Sequence, residues 1–309
     1  MAALVLALNP AIDAEWGVEQ VQWEEKNIVH SECRWAGGKG VNVARWLRHL
    51  QGRPRLLLPL GGSPGSELAR CLRKERLPAT IVRLRGSSRV NVIVTTAGGK
   101  QLRFNQPGPE LSRTEWQKIL RATGKLLAKA SCLVLSGSLP RGVPANAYTR
   151  LIDSAHRAGV KTVLDCDGEA LRAAVASRPF LVKPNEHELA QWAGHPLRTE
   201  ASLVRAAREL SAASRGWVLV SRGREGGVLV NEGEGVTHFA RPPRLKPVST
   251  VGAGDALLAA VVRQIELGAG PREWLRYGVA VGGAATQSTA GELPGRAVIG
   301  RILGRIDVR

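Results

Sequence analysis

From Ser131 onward, strand-like and helix-like segments alternate without a break, and this alternation constrains the fold more than any other feature of the chain. "SCLVLSG" reads as a strand, "PANAYTRLIDSAHRAG" as a helix ended by Gly159, "KTVLDC" as a strand and "GEALRAAVAS" as a helix. "FLVKPN" is then a strand running into the helix "EHELAQWAG". Short apolar strands separated by helices of this length predict a parallel, doubly wound α/β sheet, because each strand must be brought round by a crossover helix. The earlier part follows the same scheme, with strands over 3–8 and 56–60 and helices over 41–50 and 66–75. Two segments depart from it. "NIVHSECRW" and "RVNVIVTTAGGKQLRFNQ" alternate like strands, the second around a Gly98-Gly99 hairpin turn, and neither leads into a crossover helix. They predict a small antiparallel β lid outside the main sheet, able to shield a site from water. The expected organisation is a single domain over 1–309 with the lid, about 12–36 and 87–107, inserted in it; 309 residues, 44% of them hydrophobic, suffice for its core.

Composition excludes several classes. Cys33, Cys71, Cys132 and Cys166 lie far apart and form none of the close pairs of metal sites or small disulfide frameworks, which points to a reducing, cytoplasmic setting. "MAALVLALNP" lacks a basic leading region and is cut short by Asn9-Pro10, so it reads as a first strand and not a signal peptide. No apolar run approaches membrane-spanning length. The net charge of +18 admits a nucleic-acid binder or an arginine-rich enzyme. Arginine is spread from Arg34 to Arg309, one or two per helix, with no basic tract interleaved with aromatics, so specific nucleic-acid binding is not expected. Such a field favours anionic small substrates.

Ligands of open α/β sheets sit beyond the carboxyl ends of the strands. The loops there, "NPAID", "GGSPG", "SGSLP", "DCDGE", "KPNEHE" and "SRGREGG", are rich in residues able to bind phosphate or metal, which indicates an enzyme. "AGGKGVNVARWLRHL" opens a helix from a glycine-rich turn, but Lys39 is followed by Gly40, with no Ser or Thr for a magnesium ion, so the P-loop pattern fails. Its glycines would let the backbone approach a polyol, with Lys39 and Asn42 as donors; a merely tight loop is the other reading. In "VKPNEHELAQWAG", Asn185 and Glu188 stand three apart at the head of a helix. That spacing suits a helix cap, and equally an amide and a carboxylate holding the hydrated magnesium ion of a nucleotide. "VSRGREGG" is an ordinary hairpin turn, or a glycine loop against phosphates. In "STVGAGDALLAAVV", Asp255 follows Gly252-Ala253-Gly254 at the start of an apolar helix. A bare helix start of this kind attracts anions, although an acidic first-turn residue also complements the helix dipole.

Together these segments resemble the ribokinase-like superfamily and, within it, the PfkB-type sugar-phosphate kinases. "AGGKGVNVA" resembles the amino-terminal signature of that family, "STVGAGDALLAAV" its carboxy-terminal signature at every constrained position, and "VKPNEHE" its Asn-x-x-Glu element. The likeness covers essentially the whole chain. It implies ATP-dependent phosphorylation of a ketohexose monophosphate: fructose 1-phosphate first, with tagatose 6-phosphate and fructose 6-phosphate as alternatives, and a non-catalytic sugar-phosphate-binding regulator as the alternative of another class. By the same resemblance Asp255 is the base, and Gly252, Ala253 and Gly254 form the anion hole. Asp13, Gly38, Lys39, Gly40, Asn42, Arg89, Asn91 and Ser138 hold the sugar phosphate, with Lys39 and Arg89 meeting its phosphate from two sides. Lys183, Asn185, Glu188, Ser221, Gly223 and Gly226 serve ATP, Asn185 and Glu188 also its Mg2+, and the lid makes a homodimer contact. Arg222 stands where such kinases commonly carry an apolar residue, and Asp167 where serine is usual. The first bears on nucleotide contacts and the second adds charge near the phosphate-binding mouth.

Overall fold

Strands buried on both faces need helices on both, and the chain supplies them in turn. The computed structural model describes residues 2–289 and 291–309. It opens with β1 (Ala2–Leu6), β2 (Ala11–Val18) and β3 (Ser31–Gly37), followed by α1 (Lys39–His49), β4 (Arg55–Leu60), α2 (Gly62–Lys74) and β5 (Ala79–Arg83). A hairpin of β6 (Arg89–Thr96) and β7 (Gln101–Phe104) comes next. The alternating part then runs through α3 (Arg113–Leu127), β8 (Ala130–Ser136), α4 (Ala147–Arg157), β9 (Lys161–Asp165), α5 (Gly168–Val175), β10 (Leu181–Val182), α6 (Glu186–Ala193) and α7 (Glu200–Ser214). The chain closes with β11 (Trp217–Ser221), β12 (Gly227–Asn231), β13 (Val236–Ala240), α8 (Ala253–Glu266), α9 (Pro271–Ala285) and α10 (Arg296–Leu303).

The main sheet has the order β13-β12-β11-β10-β9-β8-β1-β4-β5, parallel from β5 to β11 and antiparallel at its β12 and β13 edge. Alternation along β1 divides the core. Ala3 and Val5 face one cluster with residues of α1, α2, α8, α9 and α10, whereas Leu4 and Leu6 face another with residues of α3 to α7. This is the doubly wound arrangement that the alternation predicts. The two irregular segments supply β3, β6 and β7 and, with β2, which the sequence reading did not single out as a strand, form a second sheet of order β3-β2-β6-β7. Its outer pairs are antiparallel, as expected, and they are joined by a parallel pairing of β2 with β6 that sets Asp13 beside Asn91.

Candidate active site

The carboxyl ends of β1, β8, β9, β10 and β11 and the start of α8 open into one cleft of about 1190 Å³, which the small sheet borders through Asp13, Arg89 and Asn91. Single-ligand pockets are typically roughly 300–1,000 Å³, so this cleft has room for two substrates.

Asp255 lies in the first turn of α8, 7% exposed. Gly252 caps that helix at φ +75°, a left-handed conformation that suits glycine, and the chain turns into the helix with the Gly252 and Gly254 amides unpartnered among the described residues and the Ala253 amide in a long 3.4 Å bond to Thr250 O. A Cβ at Gly254 would come no closer than 3.9 Å to its nearest neighbour, the Lys183 ammonium, so no packing contact demands a glycine there. Asn42, one turn into α1, donates from Nδ2 to Asp255 Oδ2 at 2.8 Å. Burial pushes the Asp255 carboxyl up to about 7, aided by the Asp165 carboxylate and opposed by Asn42, Lys39 and Lys183.

Asp165, at the end of β9, is fully buried. Lys39 Nζ stands 3.1 Å and Lys183 Nζ 3.3 Å from its Oδ1, and Ser136 donates to its Oδ2 at 3.3 Å. Burial alone would raise this carboxyl, but the Lys183 and Lys39 ammoniums outweigh it and hold Asp165 below the usual range. Sequence reading did not single out Asp165; its signal was a carboxylate immediately after the apolar run of "KTVLD", at a strand's carboxyl end. Lys39 also reaches Glu188 Oε1 at 3.2 Å. Its ammonium is therefore drawn toward Asp165 and Glu188, and it shares no hydrogen-bonding partner with Arg89 among the described residues.

On the small-sheet side, the β2–β6 register lets Asn91 Nδ2 donate to Asp13 Oδ1 at 2.8 Å. Burial raises the Asp13 carboxyl against the pull of Asn91 and Arg89. The Arg89 guanidinium donates to Asn9 O at 2.8 and 3.1 Å and to Gln106 O at 3.0 Å, leaving one N–H on each terminal nitrogen without a partner among the described residues. Asn9, another residue not foreseen, also donates to Ser138 Oγ and to Pro107 O, each at 3.1 Å. Gly38, at φ +94°, lines the cleft, and so does Gly40, where a Cβ would lie 2.8 Å from the Ala7 side chain. Close approach of α1 to β1 thus accounts for the glycine at 40.

Asn185 and Glu188 form the capping box. Asn185 Oδ1 accepts from the Glu188 amide at 2.8 Å, and Glu188 Oε2 accepts from the Asn185 amide at 2.9 Å. Both also line the cleft, beside Lys183, Ser221, Gly223 and Gly226. Among the described residues no three acidic, histidine or cysteine side chains form a cage for a metal. After its cap bond and its Lys39 contact, each Glu188 oxygen retains a lone pair. The pair therefore fits a hydrated magnesium ion held mainly by nucleotide phosphates, touched by the protein through water. Asp167 stands at the N-cap position of α5 at the cleft edge without a side-chain capping bond, and Arg222 points away into ion pairs with Glu186 and Glu200.

The pfkB family carbohydrate kinase model matches residues 11–294. The 1-phosphofructokinase of Haemophilus influenzae is 33% identical over 94% of this chain and 93% of its own length. The ATP-dependent 6-phosphofructokinase isozyme 2 of Escherichia coli is 35% identical over 91% of both. A crystal structure of phosphofructokinase-2 from Escherichia coli in complex with substrates and products superposes with a TM-score of 0.91, at 32% identity, over 99% of each chain.

Proposed function

Since the chain belongs to the pfkB family carbohydrate kinases, phosphotransferases with an alcohol group as acceptor, we propose that it phosphorylates a ketohexose monophosphate with ATP, and first of all fructose 1-phosphate to fructose 1,6-bisphosphate. The observation that carries this reading is Asp255: a buried carboxyl raised to about 7, at the start of a helix whose first residues are small, in a cleft that also holds Lys39 and Lys183. A base with that pKa is half ionised near neutrality, the condition for accepting a proton during the reaction.

In this reading Asp255 takes the proton of the acceptor hydroxyl as its oxygen attacks the terminal phosphorus of ATP; the bond to ADP breaks, and the proton stays on the Asp255 carboxyl until release. The amides of Gly252, Ala253 and Gly254 receive the transferring phosphoryl group, which needs preorganised donors where its charge accumulates. Asn42 orients the base through its 2.8 Å bond. Asp13, Gly38, Gly40, Asn91 and Ser138 hold the sugar, and the free N–H groups of Arg89 take its existing phosphate. Lys39 sits between the two substrates and Lys183 on the ATP side, with Asn185, Glu188, Ser221, Gly223 and Gly226. Magnesium bound with the ATP would neutralise its phosphates.

The small sheet acts as a lid, and exposed Phe104 at the end of β7, with exposed Trp23, Ile28 and Val29 in the β2–β3 connection, supports a homodimer through it. Phe104→Glu is then expected to halve the mass found by analytical ultracentrifugation; an unchanged mass removes that contact. No helix among the described residues is long and apolar enough to cross a membrane. The four free cysteines support a cytoplasmic setting.

ADP release with Mg-ATP and, in turn, fructose 1-phosphate, fructose 6-phosphate, tagatose 6-phosphate and the free sugars tests the reading. The expected order places fructose 1-phosphate first. Faster turnover of tagatose 6-phosphate or fructose 6-phosphate would reassign the substrate, and sugar-phosphate binding without ADP release would make the protein a regulator.

A further inference from the structure

Arg222 lies between Ser221 and Gly223, which both line the cleft, yet its own side chain turns the other way and is only 13% exposed. Nε pairs with Glu186 at 2.9 Å and Nη1 with Glu200 at 3.1 Å. Glu186 opens α6 and Glu200 opens α7, so both carboxylates stand where helix dipoles favour them. Glu200 also accepts from Arg309 at 3.0 Å. The main chain beside Arg222 is tied to the same place: Ser221 N donates to Pro184 O at 3.0 Å, and Asn185 bridges to Ser221.

The turn at the tip of the loop is loosely packed. It is a single 3-10 turn, Gly223–Glu225, with none of its residues buried, and a Cβ at Gly223 would meet nothing within 4 Å. On its other side the loop is held toward β13, where Gly226 packs against the Ala240 main chain and Glu225 pairs with Arg241, so packing there does not set the distance of the turn from α6. Its internal bonds, Arg222 N to Gly226 O and Gly226 N to Gly223 O, fix its shape but not its distance from α6. Beyond the Ser221–Pro184 main-chain bond at the loop's root, the ion pairs of Arg222 supply that distance.

We propose that Arg222 is a positioning residue for the nucleotide: its guanidinium clamps the loop after β11 to the segment Lys183–Glu188, the two walls that flank ATP, and thereby sets ATP affinity without acting on the sugar. This rests on the kinase reading above. A loop released from the clamp spends part of its time out of place, and apparent affinity falls by the fraction of time it is competent.

The experiment compares Arg222→Met, which keeps the apolar stem, with the double variant Glu186→Gln, Glu200→Gln, whose partly exposed positions leave the core untouched. If the competent fraction drops to between a tenth and a third, KM for ATP rises about three- to tenfold in both, while kcat and KM for the sugar phosphate stay within about twofold. Hydrogen exchange at the Arg222 and Gly226 amides speeds up about tenfold, with α8 unchanged. Arg222→Lys recovers part of the ATP affinity, since an ammonium can hold one glutamate at a time. Unaltered KM for ATP in both variants, or equal rises in both KM values, overturns the inference and leaves the kinase reading standing. Absence of ATP-dependent turnover in the unmutated protein with every sugar tried would remove both.

Discussion

Asp255 is kept near neutrality by opposed forces at one atom group: burial and the Asp165 carboxylate resist its charge, whereas Asn42, Lys39 and Lys183 favour it. Two consequences can be measured. Turnover should rise with pH through about 7 and then level, as the base ionises. Asp255→Asn keeps the Asn42 contact and cannot accept the proton, so kcat should fall by about two to four orders of magnitude. Stability should move the opposite way. The folded-state pKa lies above the ordinary value, so the folded protein retains a proton that the unfolded chain releases. The residue's contribution is therefore intact below pH 4 and is lost as pH rises to about 7. Asparagine has no such loss, and the variant should melt higher at pH 8, by on the order of a few kcal/mol in stability, with no difference near pH 4. Equal melting at pH 8 would mean that the carboxyl titrates normally. The Gly-Ala-Gly-Asp arrangement was legible as residues because a bare helix start is a local pattern. Asp165 was not, because its partners Lys39, Lys183 and Ser136 come from three other segments that meet only when β8, β9 and β10 pair and α1 packs against the sheet.

In the kinase reading proposed above, one carboxylate of helix α6 would carry two duties, and they separate by substitution. Glu188→Gln retains an oxygen that can accept from the Asn185 amide, so the cap survives and the melting temperature should move by no more than a few degrees. Its lost charge should raise the Mg2+ concentration for half-maximal rate several-fold. A drop in melting temperature with unchanged Mg2+ dependence would leave Glu188 as a cap alone. Strand β6 offers a second test, since Arg89 at its start is held by main-chain oxygens of Asn9 and Gln106 and keeps N–H groups free. Arg89→Ala should raise KM for the sugar phosphate about tenfold or more, and KM for ATP little, because charge-assisted bidentate bonds are about twice as strong as neutral ones. Similar rises for both substrates would instead indicate a disturbed small sheet. Alternation within β3, β6 and β7 made these strands visible in the sequence. The parallel joining of β2 to β6 leaves no local mark, since nothing in either segment specifies a partner more than 70 residues away.

For the molecule as a whole, the parallel, doubly wound character of the sheet follows from alternation and crossover rules, but its strand order and the arrangement of charge do not. Lys and Arg number 44 against 26 Asp and Glu, and the chain pattern shows them only as dispersed. In the fold, Arg103, Arg224, Arg241 and Arg244 join Arg89 along the cleft that holds Asp255. Glu225 pairs with Arg224 and Arg241 and offsets part of this charge, yet Arg224 remains 94% exposed and Arg241 66%. Exposed charges of this kind act at a distance, and salt screens them beyond about 10 Å at 0.1 M. A positive cleft should raise the encounter rate of anions and leave the chemical step alone. Raising ionic strength from about 0.02 to 0.3 M should therefore lower kcat/KM for the phosphorylated sugar several-fold, with kcat nearly constant and with little change for free fructose, which carries no charge. Varying salt at saturating Mg-ATP isolates the sugar. If kcat/KM falls equally for fructose and its phosphate, salt is acting on the protein or on bound ATP, and the +18 charge takes no part in drawing the acceptor in.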